Sequence, residues 1–220
     1  MSKTDKVDLY KEHKAEYVAS VKAPALVEVS PARYLTVAGR GEPGDGAFTA
    51  AVAALYGAAF TIKMSRKFAG LRAASPRQAG KGDYKVCGLE GLWWGEGEGE
   101  FFNQPRQTWY WKLLIRTPDS ITAADLKQAK AALAKRGKGP ECQEVKLETI
   151  KEGLCVQMLH AGPYATEPQT ISLMRQFAEG NGLTFHGLHH EIYLSDPRRV
   201  APQRVRTILR IPVRRQKAGR

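Results

Sequence analysis

The chain lacks most of the features that would commit it to a membrane, a secreted scaffold or a metal cluster. Only three of its 220 residues are cysteine, Cys87, Cys142 and Cys155. An odd number with no CxxC spacing excludes a complete disulfide framework within one chain and fits reduced thiols. The opening stretch MSKTDKVDLYKEHK is polar and charged, without the apolar core of a secretory signal. No segment reads as the roughly 18 apolar residues of a membrane span, so a cytoplasmic protein with no membrane association is expected. His186, His189 and His190 with Cys155 match no zinc-ligand spacing, so neither a metal nor a cofactor is expected. What remains is ordinary for a folded protein, with 43% apolar and 25% charged residues, enough for one large domain or two small ones.

Charge of one sign is in excess. The net charge is +12 and the isoelectric point about 9.7, a balance that suits either nucleic-acid binding or a solvated basic surface. Arg198, Arg199, Arg204, Arg206, Arg210, Arg214, Arg215, Lys217 and Arg220 gather toward the C-terminus and not on one recognition helix. The solvated surface with a basic tail at 214–220 is therefore preferred over nucleic-acid binding.

Two stretches about 120 residues apart carry the same order of signals. In the first, YLTVAGRG (34–41) reads as a strand, EPGDG turns, and 47–62 reads as a helix with Val52, Leu55, Tyr56, Ala59 and Phe60 inward. In the second, LCVQMLH (154–160) is strand-like, AGPY turns, and 166–180 is a helix with Ile171, Leu173, Met174 and Phe177 inward. Gly41 then stands opposite Gly162, and Tyr56 opposite Phe177. Each helix leads into two further strands, 84–94 and 108–116 in the first copy, 185–194 and 205–213 in the second. LLIRTP and TILRIP end the last strand of each copy alike. A helix over 122–136, ended by Gly137, Gly139 and Pro140, joins them. The predicted fold class is α+β: tandem duplicated β-α-β-β units forming one antiparallel sheet, with two helices on one face and a central ligand cleft where the opposite face curves. The boundaries are a polar extension over 1–21, repeat one over about 22–118, a connecting helix at about 120–138, repeat two over about 144–213, and the tail.

The segment HGLHHEIYLSDPRR (186–199) is the most informative. On a strand, His189, Glu191 and Tyr193 share one face, and His190 and Ile192 the other. Glu191 is either a solvent-facing or ion-paired residue or, if its face lines an apolar cleft, a carboxylate with a raised pKa that serves as a base or as counter-charge to a cation. All four tryptophans fall in two neighbouring strands, Trp93 and Trp94, then Trp109 and Trp111, with Tyr110 between the last two. They either pack the core or wall a pocket for planar, hydrophobic and often cationic compounds. GRGEPG (39–44) matches GxGxxG, but its internal proline and the missing acid near Met64 make it a turn and not a dinucleotide fingerprint. GEGEGE (95–100) lacks the ligand pattern of a calcium loop.

GLEGLWW (88–94), WKLLIRTPD (111–119), EGLCVQMLHAGPYATE (152–167) and HHEIYLSDPRR (189–199) together resemble the GyrI-like small-molecule-binding proteins over about residues 22–213. The resemblance implies an SHS2-like tandem pair of units around a cleft, with the family's glutamate at Glu191 and its following tyrosine at Tyr193. The LWW and HHEIYLSDPRR signatures resemble stand-alone members that act as cyclopropanoid cyclopropyl hydrolases, enzymes that open the cyclopropane of DNA-alkylating compounds with water. On that reading Glu191 is the base, Tyr110, Tyr164 or Tyr193 is the hydrogen-bond donor, and Trp93, Trp94, Trp111, Tyr164 and His189 line the ligand site. A binding-only, drug-sequestering or sensing protein and a topoisomerase-inhibiting interaction protein are the alternatives.

Overall fold

A computed structural model describes residues 6–71, 83–97 and 100–216. The elements are α1 (Leu9–Glu12), β1 (Ala25–Val29), β2 (Ala32–Arg40), α2 (Gly46–Leu71), β3 (Glu90–Trp94), β4 (Tyr110–Thr117), α3 (Ala123–Lys135), α4 (Glu141–Glu144), β5 (Lys146–Ile150), β6 (Gly153–Ala161), α5 (Glu167–Gly180), β7 (Leu183–Phe185), β8 (His189–Tyr193) and β9 (Arg206–Arg215). The strands form one antiparallel sheet in the order β1-β6-β9-β8-β3-β4-β2-β5, with β7 added against β9. This is the duplicated α+β architecture anticipated from the repeats. The order reads the same from either end once the copies are exchanged, β6 for β2, β9 for β4 and β8 for β3. The leading strand of each copy pairs with the other copy: β1 lies on β6 and β5 on β2.

That exchange bends the sheet. Only Ser30 and Pro31 separate β1 from β2, and only Lys151 and Glu152 separate β5 from β6, although these pairs stand at opposite ends of the strand order. Three peptide links reach about 11 Å at most, so the two ends must curl toward each other. α2 and α5 cover the outer face. Ala51, Ala54 and Ala58 let α2 lie close to β2 and β4, where Leu35, Val37, Leu113 and Ile115 meet it in the main core; α5 contributes Ile171, Met174 and Ala178 to a second core over β6 and β9.

The inner face is filled. Its alternating positions carry Tyr34, Leu92, Leu114, Ile192 and Ile208, together with the buried ionic side chains Glu90, Arg116, His190 and Arg210. Residues 14–18 lie across it: Gln157 donates to the carbonyls of Ala15 (3.2 Å) and Val18 (3.1 Å), and Arg210 donates to the Glu16 carbonyl. The cleft is therefore not on the face opposite the helices, as expected from the bend, because the polar side chains there satisfy one another beneath the N-terminal segment.

Other differences have local causes. α2 extends well past residue 62, and by length and composition its stretch Gly46–Ala69 is apolar enough to cross a bilayer, which the sequence reading did not anticipate. Its inner side belongs to the core of the sheet. Phe60 and Leu173, assigned inward, are about half exposed, because the turn of about 100° per residue sets each on the side of its helix away from the buried positions. The segment before Glu90 is irregular, and the 185–194 strand is broken into β7 and β8 by Gly187 with φ 104°. Arg210 is buried, so it does not belong to the basic surface. Glu98 of the acidic loop and Lys217 and Arg220 of the tail lie outside the described residues.

Candidate ligand cleft and carboxyl pair

The two repeats meet at β3 and β8, whose antiparallel register sets Gly91 opposite Glu191 and Trp93 opposite His189. Strand alternation sends Gly91, Trp93, His189, Glu191 and Tyr193 to the helix side. There, between α2 and α5, lies a cleft of about 970 Å³. Its walls are aromatic. Phe48 of α2 stacks on Trp93 (centroids 5.9 Å apart), Trp109 meets Trp93 edge-on at 6.0 Å, and Phe101 meets Trp109 edge-on at 4.9 Å. Tyr164, in the turn before α5, sets its ring edge-on to Tyr193 at 6.1 Å.

A glycine makes the floor possible. Trp93 Nε1 donates to Tyr193 Oη at 3.1 Å directly above Gly91. A Cβ at Gly91 would lie 2.9 Å from that nitrogen and 3.1 Å from that oxygen, closer than real side chains tolerate. Burial and the neighbouring Glu191 carboxylate push the Tyr193 hydroxyl well above the usual phenol range, and burial does the same for Tyr164. Both stay protonated and able to donate.

The chemistry concentrates at Glu191 and Glu167. Glu167 opens α5, and the two carboxyls are 7% and 6% exposed, with oxygens within 4.8 Å of each other. Burial, then the charge of Glu191, hold Glu167 well above the usual carboxylate range, against the helix N-terminus that alone would favour its ionised form. Two carboxyls so close in a poorly solvated site keep one proton between them. Glu167 Oε1 has no hydrogen-bond partner among the described residues. His189 flanks the pair, with Nε2 3.3 Å from Glu191 Oε1 and no hydrogen-bonding geometry at either ring nitrogen. Atoms of Glu167, His189 and Glu191 lie close enough together to hold a cation, but a metal-bound imidazole is ordinarily held by a partner on its second nitrogen, which His189 lacks among the described residues. A proton on Glu167 has no such requirement.

Of the residues singled out in the sequence, Glu191, Tyr193, Trp93 and Tyr164 come together at the cleft, with His189 behind Glu191. Three others do not, which corrects the expectation that they line it. Trp111 is core: its ring lies over Gly39, its partner across the β2–β4 ladder, where a Cβ would stand 2.2 Å from the indole. Trp94 points to the inner face and stacks on Tyr110 at 5.7 Å, and Tyr110 is solvent-side, donating to Glu96 at 2.7 Å. Trp109 takes their place in the wall. Glu167 was missed, because an acid in the first turn of a helix reads as a partner for the helix dipole; its one signal was its place at the end of the EGLCVQMLHAGPYATE stretch.

The sequence pattern of the GyrI-like small molecule binding domain matches residues 22–214. The chain belongs to that family of small-molecule-binding proteins. Among solved structures it is similar to an uncharacterized conserved protein from Listeria innocua, at 39% identity and TM-score 0.84 over 95% of this chain and 100% of that one. Two hydrolases from the same organism are each 37% identical, with TM-scores 0.81 and 0.83, over 95% and 96% of this chain and all of theirs. The C-terminal domain of EcmrR, 13% identical with TM-score 0.53 over 88% of this chain and 98% of that domain, shares the fold. No curated protein sequence matches the chain significantly.

Proposed function

We propose that the protein is a hydrolase that opens planar, hydrophobic, cyclopropane-bearing DNA-alkylating compounds with water, removing their reactivity and so protecting the cell. The observation that carries this reading is the buried Glu167–Glu191 pair facing aromatic walls. Trp93 and Trp109 hold the flat ring system by stacking and burial. Glu191 takes a proton from a water as its oxygen bonds to the strained ring carbon. The breaking C–C bond sends its electrons into the conjugated ring, and the carbonyl oxygen that gathers them receives a hydrogen bond or proton from Glu167, with Tyr164 or Tyr193 as a further donor. The two relatives described as hydrolases support the same reaction class.

Incubation of the protein and its Glu191→Gln variant with such a compound, followed by mass spectrometry of the water adduct, tests this. Turnover by the parent and a loss of about 10²-fold or more in the variant is the expected result. Binding, seen as tryptophan quenching, with no adduct from either protein refutes the hydrolase. It would instead support a binding or sequestering protein, a reading favoured by the ionised carboxylate beside stacked aromatic rings, which suits cationic ligands.

A further inference from the structure

We propose that the same carboxyl pair opens the oxirane ring of planar aryl epoxides with water, giving diols, a second class of electrophile for this cleft. The inference rests on reading the cleft as a hydrolytic site and extends it to a different leaving group.

The side chains that line the cleft narrow the chemistry. Among the described residues no cysteine, lysine or histidine lines the cleft, so these side chains offer neither a thiolate nor an amine nucleophile. Asp196 at the cleft is paired with Arg198 at 2.9 Å, which leaves Glu191 and Glu167 as the acids of the floor. What remains is an acid and a base, close together, in a dry aromatic slot. Such a pair accelerates a reaction whose driving force the substrate brings itself, as ring strain, and whose leaving oxygen needs a proton. A cyclopropyl dienone releases a phenol-like oxygen, for which a hydrogen bond is nearly sufficient, since a phenol ionises near pH 10. An epoxide releases an alkoxide, about as basic as hydroxide, with a conjugate acid near roughly 16, and it needs a whole proton. A carboxylic acid kept protonated at neutral pH is the group that supplies one, and Glu167 stands where it can.

The step balances without a further reagent. Glu167 transfers its proton to the oxirane oxygen as the C–O bond breaks and its electron pair goes to that oxygen. Water forms the new C–O bond at the ring-bearing carbon and loses a proton to Glu191. The products are the diol, an ionised Glu167 and a protonated Glu191. With their oxygens within 4.8 Å, the proton returns from Glu191 to Glu167, directly or through one water, and the pair is restored. The aromatic wall of Trp93 and Trp109 holds an aryl epoxide flat against the floor, with its oxirane edge over the carboxyls.

The test uses the full-length protein with trans-stilbene oxide in H₂¹⁸O, reading diol and label by mass spectrometry, with protein in excess for a single turnover. Diol above the solvent rate, carrying one ¹⁸O from the first turnover, and a loss of about 10²-fold or more in each of Glu167→Gln and Glu191→Gln is the expected result; circular dichroism of each variant confirms folding. Unlabelled first-turnover diol would mean that Glu191 itself attacks the carbon, and a folded Glu167→Gln variant with parental rates would remove the acid; either overturns the proposal. The same preparations receive the cyclopropane compound. Cyclopropane opening without diol overturns this inference and leaves the hydrolase reading intact, whereas failure on both substrates overturns both.

Discussion

His190 should make the fold measurably less stable between pH 6.5 and 9. The side chain is wholly buried on the inner face, and both ring nitrogens meet a carboxylate, Nδ1 at 2.9 Å from Glu152 and Nε2 at 3.0 Å from Glu90. Burial alone would favour the neutral ring; the charges and hydrogen bonds of Glu152 and Glu90 outweigh it and raise the pKa from 6.5 to about 9. A folded-state value above the unfolded one means that the unfolded chain releases its proton first as pH rises. The stabilisation is complete below pH 6.5 and is lost progressively up to pH 9. At about 1.36 kcal/mol per pH unit, that amounts to about 3 kcal/mol, or a fall of about 1.5 M in the urea midpoint for a slope of about 2 kcal/mol/M. Cys87 and Cys155, pushed up by burial to about 12, weaken the fold in the same direction once free thiols ionise above about pH 8.5. The comparison with His190→Gln isolates the histidine: the variant is less stable than the parent at pH 6.5, and that gap closes by about 3 kcal/mol at pH 9. An equal pH slope in parent and variant would refute the reasoning.

Three further perturbations follow from contacts described above. Gly91→Ala forces Trp93 and Tyr193 apart, so it should cost about 1–3 kcal/mol, change the tryptophan emission and lower turnover; unaltered emission and rate would show the Trp93–Tyr193 contact to be dispensable. Gly39→Ala collides with the Trp111 indole in the core and should lower the melting temperature while leaving activity per folded molecule unchanged, as measured by titration with a quenching ligand. Removal of residues 1–18 strips partners from Arg116, Gln157 and Arg210. With buried charges left unpaired, the loss should be about 3 kcal/mol or more, read as a lower unfolding midpoint; a full-stability truncated chain would contradict it.

Strand β8 shows why part of this molecule was legible in its sequence and part was not. Period-two alternation placed Glu191 and Tyr193 on one side and His190 on the other, and the duplicated strand-helix-strand signals led to the right architecture, because both are local properties of the chain. Which side would hold the ligand depended on where the sheet ends go, and that is decided by two-residue links between strands that pair more than a hundred residues apart. Glu167 was hidden for the same reason: nothing within its own helix distinguishes a first-turn acid aimed at water from one aimed at a carboxylate on β8. The curl explains both. It closes the inner face around Glu90, His190, Glu152 and Arg210, where opposite charges satisfy each other, and leaves on the outer face two carboxyls, of which Glu167 keeps its proton. A strand that carries a neutralised ion network on one side and a carboxyl competing for a single proton on the other keeps its structural charges apart from its reactive ones.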